Sequence, residues 1–311
     1  MVAALVALVI SGGVGAASPS QARPFWPNSI DFWDTTHGLL SSGGGAWCLA
    51  CDSGTIQTTT DGGRTWRIRY RSRDPITTIT VAGRSAGWAV VERCTSSGTC
   101  RPHTLLHSAD RGLSWRVVPS VRVGGVSFAT ARTGLALDAR SRPLLRTTDG
   151  GRTWRRLPSP CRGGGGDTLQ SVSLTSSRRG WALCVGQPGA GNQAKSILET
   201  YDGGFTWRLR AAVAIGGPGG AGLDSYGYAQ GIQFLSSGTG ILWESRGVLL
   251  FTHSDGRAWR RAPVVRPERD YGQSATVVSS RTFFALLTGP HRRLVVTRDG
   301  GAHWRTVHRW G

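Results

Sequence analysis

The chain has 311 residues and a formal net charge of +19, from 37 basic and 18 acidic residues, with 45 glycines, one methionine and 39% hydrophobic residues. That apolar share is adequate for a globular core, while the glycine content and the absence of any long helical pattern exclude a helix-dominated chain and point to many short strands and tight turns.

In chain order, residues 2–10 (VAALVALVI) form an apolar run too short to span a bilayer as a helix, followed by the small residues SGGVGAAS. Residues 1–22 are expected to be a signal peptide or an N-terminal anchor, with small-residue cleavage sites at Val14-Gly15-Ala16 and Ser20-Gln21-Ala22, and the product is expected to be exported. Residues 23–311 then carry one motif six times: TTTDGGRTW, HSADRGLSW, RTTDGGRTW, ETYDGGFTW, THSDGRAW and VTRDGGAHW. The aspartate and tryptophan pairs are Asp61 and Trp66, Asp110 and Trp115, Asp149 and Trp154, Asp202 and Trp207, Asp255 and Trp259, and Asp299 and Trp304. The tryptophans are 49, 39, 53, 52 and 45 residues apart, a period that marks repeat architectures.

Each motif follows the same signals: a short apolar strand, a polar turn, a second apolar strand, a loop and a third strand. A fourth strand starts at the tryptophan. The units fall at about 28–70, 75–119, 123–158, 166–211, 228–263 and 271–308. Four strands in such a length make a propeller blade, so the expected fold is all-β, a single six-bladed β-propeller of four-stranded antiparallel blades. A seventh, degenerate blade stays open if residues 24–30 and the glycine-rich insertion 211–228 supply one. The motif itself reads as the turn between strands three and four. Its aspartate accepts backbone N–H bonds, its glycines take the positive-φ positions, and its tryptophan is buried between sheets. The fifth copy, at 254–259, is expected to lack one residue.

On these motifs the chain resembles the Asp-box, or BNR-repeat, β-propellers. The pattern FWDTTHGLL…IQTTTDGGRTW, with its echo RRGWALCV…ILETYDGGFTW, is most similar to the photosystem II assembly and stability factor subfamily. This resemblance implies a non-catalytic scaffold that binds other proteins. Sialidases carry Asp boxes as well, so a sialidase-like or other glycoside hydrolase acting on extracellular glycans is the alternative. Against it, no Arg-Ile-Pro occurs, and there are only four glutamates, at 92, 199, 244 and 268. The weak catalytic candidates, were it an enzyme, are Tyr271, Glu268 and Glu244.

Six cysteines suit an oxidising compartment. Cys94 and Cys100 bracket a turn and are expected to pair, as are Cys161 and Cys184, whereas Cys48 and Cys51 pair only if the chain turns at Leu49-Ala50. Scattered histidines give no metal-ligand spacing, and the runs GGGG and GGPGG lack the lysine and hydroxyl of a phosphate loop. No metal or cofactor is expected.

Every motif tryptophan is followed by arginine, at 67, 116, 155, 208, 260 and 305. Charges there guard the outer sheet edges against aggregation, and they also form an electropositive girdle suited to an anionic surface or an acidic protein, membrane-associated or not. Arg155, Arg156, Arg208 and Arg210, with Tyr226 and Tyr228, are the expected partner-binding residues, on a monomer. Nucleic acid is the least favoured partner, since no recognition module interrupts the repeats. The face formed by the inter-blade loops is expected to carry mixed charge, Lys195 and Glu244 included.

Overall fold

A computed structural model describes residues 25–43, 53–95, 99–119, 122–138, 143–161, 166–217, 220–266, 269–289 and 291–310. All its regular elements are strands. Blade 1 is β1 (Pro27–Phe32), β2 (Gly38–Ser42), β3 (Gly54–Thr59) and β4 (Arg67–Ser72); blade 2 is β5 (Ile76–Ala82), β6 (Ala86–Cys94), β7 (Cys100–Ser108) and β8 (Arg116–Val118). Blade 3 is β9 (Val123–Phe128), β10 (Gly134–Asp138), β11 (Leu144–Thr147) and β12 (Arg155–Leu157); blade 4 is β13 (Thr168–Leu174), β14 (Gly180–Val185), β15 (Lys195–Thr200) and β16 (Arg208–Val213). Blade 5 is β17 (Ala229–Phe234), β18 (Gly240–Glu244), β19 (Val248–Thr252) and β20 (Arg260–Arg261); blade 6 is β21 (Tyr271–Val277), β22 (Phe283–Thr288), β23 (Arg292–Thr297) and β24 (Trp304–Trp310). Each sheet pairs its four strands in chain order and antiparallel, giving a six-bladed propeller in which, among the described residues, no strand is exchanged between the first and last blades.

The apolar core is divided among six inter-blade seams, each with its own buried cluster. Alternate side chains of a strand point to opposite faces, and the middle strands of a blade are covered on both, so they read as unbroken apolar runs such as FFALLT and GWALCV. In β2, Leu39 serves the seam with blade 2 and Leu40 the seam with blade 6.

The seams alternate in chemistry. Where an even blade meets the next odd blade, an aromatic residue of its second strand stacks on the phenylalanine ending the neighbour's first strand. The pairs are Trp88 on Phe128 (centroids 3.7 Å apart), Trp181 on Phe234 (4.3 Å) and Phe284 on Phe32 (4.0 Å). At the other three seams the second-strand positions hold Leu39, Leu135 and Ile241.

The Asp-box turn has one geometry throughout. In blade 1, Asp61 Oδ1 accepts the N–H groups of Arg64 (2.9 Å) and Thr65 (3.0 Å) and the Thr59 hydroxyl, while Oδ2 accepts the Thr65 hydroxyl at 2.6 Å. Trp66 Nε1 donates to Gly63 O. Gly62, at φ +74°, donates its N–H to Thr36 O, tying the box to the turn between strands one and two. Gly63 admits the neighbouring blade, since a Cβ there would lie 2.3 Å from Leu294. In the sixth box, His303 takes the threonine's place and its Nδ1 meets Asp299 Oδ2 at 2.7 Å.

Two expectations about the boxes are corrected. First, the fifth box has no deletion. Ser254 occupies the aspartate position, bonded to Thr252 Oγ1 and accepting the Ala258 N–H at 3.0 Å, and Asp255 sits where the others have Gly62 or its equivalent. Asp255 has that position's positive φ (58°) and its N–H···O bond to the first turn, here to Gly238 O. Second, the box tryptophans edge the core rather than form it: only Trp259 is fully buried, while Trp66, Trp115, Trp154, Trp207 and Trp304 are half-buried against the seam clusters. Their indole N–H groups bond within the turn, which holds one edge of each ring near the surface.

Candidate functional site

The first strands of the blades surround a central cavity of about 840 Å³. As sheet edges they carry backbone N–H groups that the ladder leaves unpaired, and polar side chains of the neighbouring blade satisfy them. Ser29 Oγ accepts Ile79 N–H, Ser127 Oγ accepts Leu174 N–H, Ser171 and Ser173 accept Ile232 and Phe234 N–H, and Ser274 accepts Ile30 N–H. Asp31 is the hub. Its carboxylate accepts bonds from Phe32 N–H, Val81 N–H, Gln233 Nε2 and Thr276 Oγ1, at 2.7–2.9 Å, from four different blades. Burial pushes the Asp31 carboxyl up from its ordinary value against the pull of those donors.

The cavity wall also carries Glu92, Asp138, Arg101 and Arg122, all from blades 2 and 3 or the loop between them, and neutral amides Gln170, Gln230 and Gln273. Burial raises the Glu92 carboxyl. Asp138 is bridged by Arg156 at 3.1 Å. Sequence reasoning passed over Asp31, Glu92 and Gln233 as site residues. For Asp31 the signal was the period-two polar pattern of its inner strand, Ser29 and Asp31, and for Gln233 the polar positions Gln230 and Gln233 near the ends of another, on segments otherwise read only for their apolar face, whereas Glu92 lies near the end of a second strand and carries no such signal.

Among the described residues the catalytic candidates Tyr271 and Glu244 are not assembled into a pair. Glu268 lies outside the described residues. Tyr271 is exposed, and among the described residues no hydrogen bond joins its hydroxyl to Glu244. Glu244 is buried completely, with Lys195, itself 0% exposed, at 2.8 Å from Oε2. The two are therefore not surface charges of the loop face. Lys195 Nζ also donates to Asp224 O and Tyr226 O at 2.9 Å each, so the ammonium ties the glycine-rich insertion to blades 4 and 5. Burial pushes the Glu244 carboxyl up to about 7 even with that cation beside it, and its Oε1 has no partner among the described residues. Tyr226 packs on the core of the same seam, and the Tyr228 hydroxyl accepts the Gly191 N–H, so both pin the insertion down.

Of the arginines on the outer strands, Arg155 and Arg208 are exposed without an ion pair among the described residues, whereas Arg156 is bridged to Asp138 and Arg210 to the buried Glu199. Glu199 also receives Arg179, which reaches on to Asp255 at 2.6 Å. Exposed apolar side chains lie among these arginines: Ile68 between Arg67 and Arg69, Val117 beside Arg116, and Leu209 between Arg208 and Arg210. Phe205, also exposed, lies under the Arg155 guanidinium at 5.5 Å.

Disulfides join Cys94 to Cys100 across a hairpin and Cys161 to Cys184 of β14. Cys48 and Cys51 lie outside the described residues, as do residues 1–22. Among the described residues no three His, Cys, Asp or Glu side chains converge on a metal-sized site, and no helix is long and apolar enough to cross a membrane.

No protein-family model matches the chain, and no curated protein matches it. Among solved structures it is similar to YCF48 from Cyanidioschyzon merolae, with a TM-score of 0.51 at 18% identity over 94% of this chain and 89% of that one. It is similar also to the GH93 α-L-arabinofuranosidase of Fusarium graminearum in complex with arabinobiose, with a TM-score of 0.54 at 14% identity over 86% and 88% of the two chains. Both are likenesses of fold: this chain is a β-propeller of the architecture those proteins share.

Proposed function

We propose that this chain is an exported, non-catalytic scaffold that binds a protein client, of the photosystem assembly kind its sequence resembles or of another kind. The fold does not choose between binding and hydrolysis, because propellers serve both. The observation that carries the reading is the outer surface: Arg67, Arg69, Arg116, Arg155 and Arg208, which have no acidic partner among the described residues, lie among exposed Ile68, Val117, Phe205 and Leu209. Apolar side chains set among weakly hydrated guanidiniums suit a protein interface better than free solution. The disulfides Cys94–Cys100 and Cys161–Cys184 support an oxidising compartment.

A hydrolase remains the second reading, because the central cavity is lined by two carboxylates, Glu92, raised by burial, and Asp138, the residue types that an acid and base pair uses. The purified chain is expected to leave aryl arabinofuranosides and sialosides intact. Turnover that disappears in Glu92→Gln would replace the scaffold reading with a glycosidase.

A further inference from the structure

The ring closes where blade 6 meets blade 1, and among the described residues no strand is shared between them. On the box side of that seam lies a cleft of about 200 Å³, lined by Gly62, Arg64, Arg298, Arg305, Thr306 and Val307. Arg64 comes from the first box, Arg298 precedes the aspartate of the last, and Arg305 follows its tryptophan. All three are exposed, and none has an ion pair among the described residues. Arg64 uses one Nη on the Asp61 carbonyl. The acids of the two boxes are already committed, Asp61 to the backbone N–H of Arg64 and the hydroxyls of Thr59 and Thr65, and Asp299 to Thr297 and His303.

This convergence is peculiar to the closing seam. At the other five, the same three positions carry at most two arginines, as in Arg116 with Arg152, and at one of them the facing position holds Phe205 beneath Arg155. Three guanidiniums around one cleft repel one another, and each offers a planar fork of donors that fits an oxyanion. We infer that Arg64, Arg298 and Arg305 form a binding site for a phosphate-class oxyanion, which bridges the first and last blades. The ligand chemistry is a phosphomonoester or inorganic phosphate, free or as a lipid headgroup. A group bound by both blades binds the closed ring and not the unfolded chain, so it stabilises closure by mass action.

The test is calorimetric titration of the full chain with orthophosphate, together with sedimentation against vesicles of phosphatidic acid in phosphatidylcholine and of phosphatidylcholine alone. Saturable phosphate binding is expected, weakened at least tenfold in Arg298→Gln and Arg305→Gln and unchanged in Arg116→Gln. The melting temperature should rise in phosphate relative to chloride at equal ionic strength, and this rise should vanish in the two seam variants. The exposed positions of these side chains leave the unliganded melting temperature as the control for folding. Binding to phosphatidic acid vesicles alone, with the same dependence on the seam arginines, assigns the lipid headgroup as the source. No binding in either arm overturns the site, as does an equal loss in Arg116→Gln, which would reduce it to diffuse attraction by the girdle.

Discussion

Phe32 of the first blade and Phe284 of the last lie ring on ring, with centroids 4.0 Å apart and planes 1° from parallel. With Ile30, Leu40, Leu286, Leu294 and Val296 they form the cluster that closes a ring in which, among the described residues, no strand is exchanged. Phe284→Ala removes a fully buried ring and should destabilise the fold by about 3–5 kcal/mol in urea titration. Hydrogen exchange should locate the opening: amides of β1 and β22 lose protection first, while those of β5 and β6 keep theirs.

The box carboxylates hold turns. Burial alone would raise Asp149, but bonds from the Thr153 hydroxyl and N–H and from Thr147 outweigh it and bring the carboxyl to about 2. A carboxyl depressed in the folded state adds stability above its unfolded value near 3.9, and that stability is lost as pH falls through the folded value. The boxes should therefore drive unfolding between about pH 4 and pH 2. Asp149→Ala should destabilise by about 1–3 kcal/mol at neutral pH, leave binding unchanged, and flatten the acid limb of the denaturation profile.

The register of the fifth box is testable by its serine. Ser254→Ala strands the Ala258 N–H and should lower stability by about 1 kcal/mol, as removal of a turn acceptor does elsewhere. Asp255→Ala should instead loosen the Arg179 network at the seam of blades 4 and 5, visible as increased exchange in β14 and β16. If the two variants exchanged these effects, the deleted-box reading would be restored.

Glu244 governs the opposite limb. Its carboxyl is raised in the folded state, to about 7, so its contribution is complete below the unfolded value near 4.3 and declines as pH rises toward 7. Denaturation midpoints should fall across this window in the wild type and fall less in Glu244→Gln. Lys195→Met leaves the buried glutamate without its cation and should destabilise by about 3–5 kcal/mol, more at pH 8 than at pH 5, with the glycine-rich insertion becoming protease-sensitive.

The blade plan was readable because every turn between strands three and four repeats chemically, and so were both disulfides, whose cysteines bracket a hairpin or face a second strand. The fifth box was misread because Ser254 replaces the anchoring aspartate while an adjacent Asp255 invites a shifted alignment. Lys195 and Glu244 looked like surface charges because each borders a loop. Only the fold of the insertion over them, with Asp224 and Tyr226 carbonyls facing the ammonium, buries the pair. The girdle was legible as composition but not as pairing: Arg210 is bound to Glu199, from the neighbouring strand of its own sheet. Reversing Arg210 would set a carboxylate against a buried one, so the binding test rests on Arg155 and Arg208.

That test addresses the scaffold claim most directly. Tagged wild-type chain and the Arg155→Glu, Arg208→Glu variant are exposed to envelope and membrane fractions, and retained proteins are quantified at low and high salt. The scaffold account predicts a discrete client that the wild type retains at low salt, releases as salt rises, and the equally stable variant fails to hold. Identical retention by both chains at low salt would contradict it and leave the arginines only the task of guarding the sheet edges.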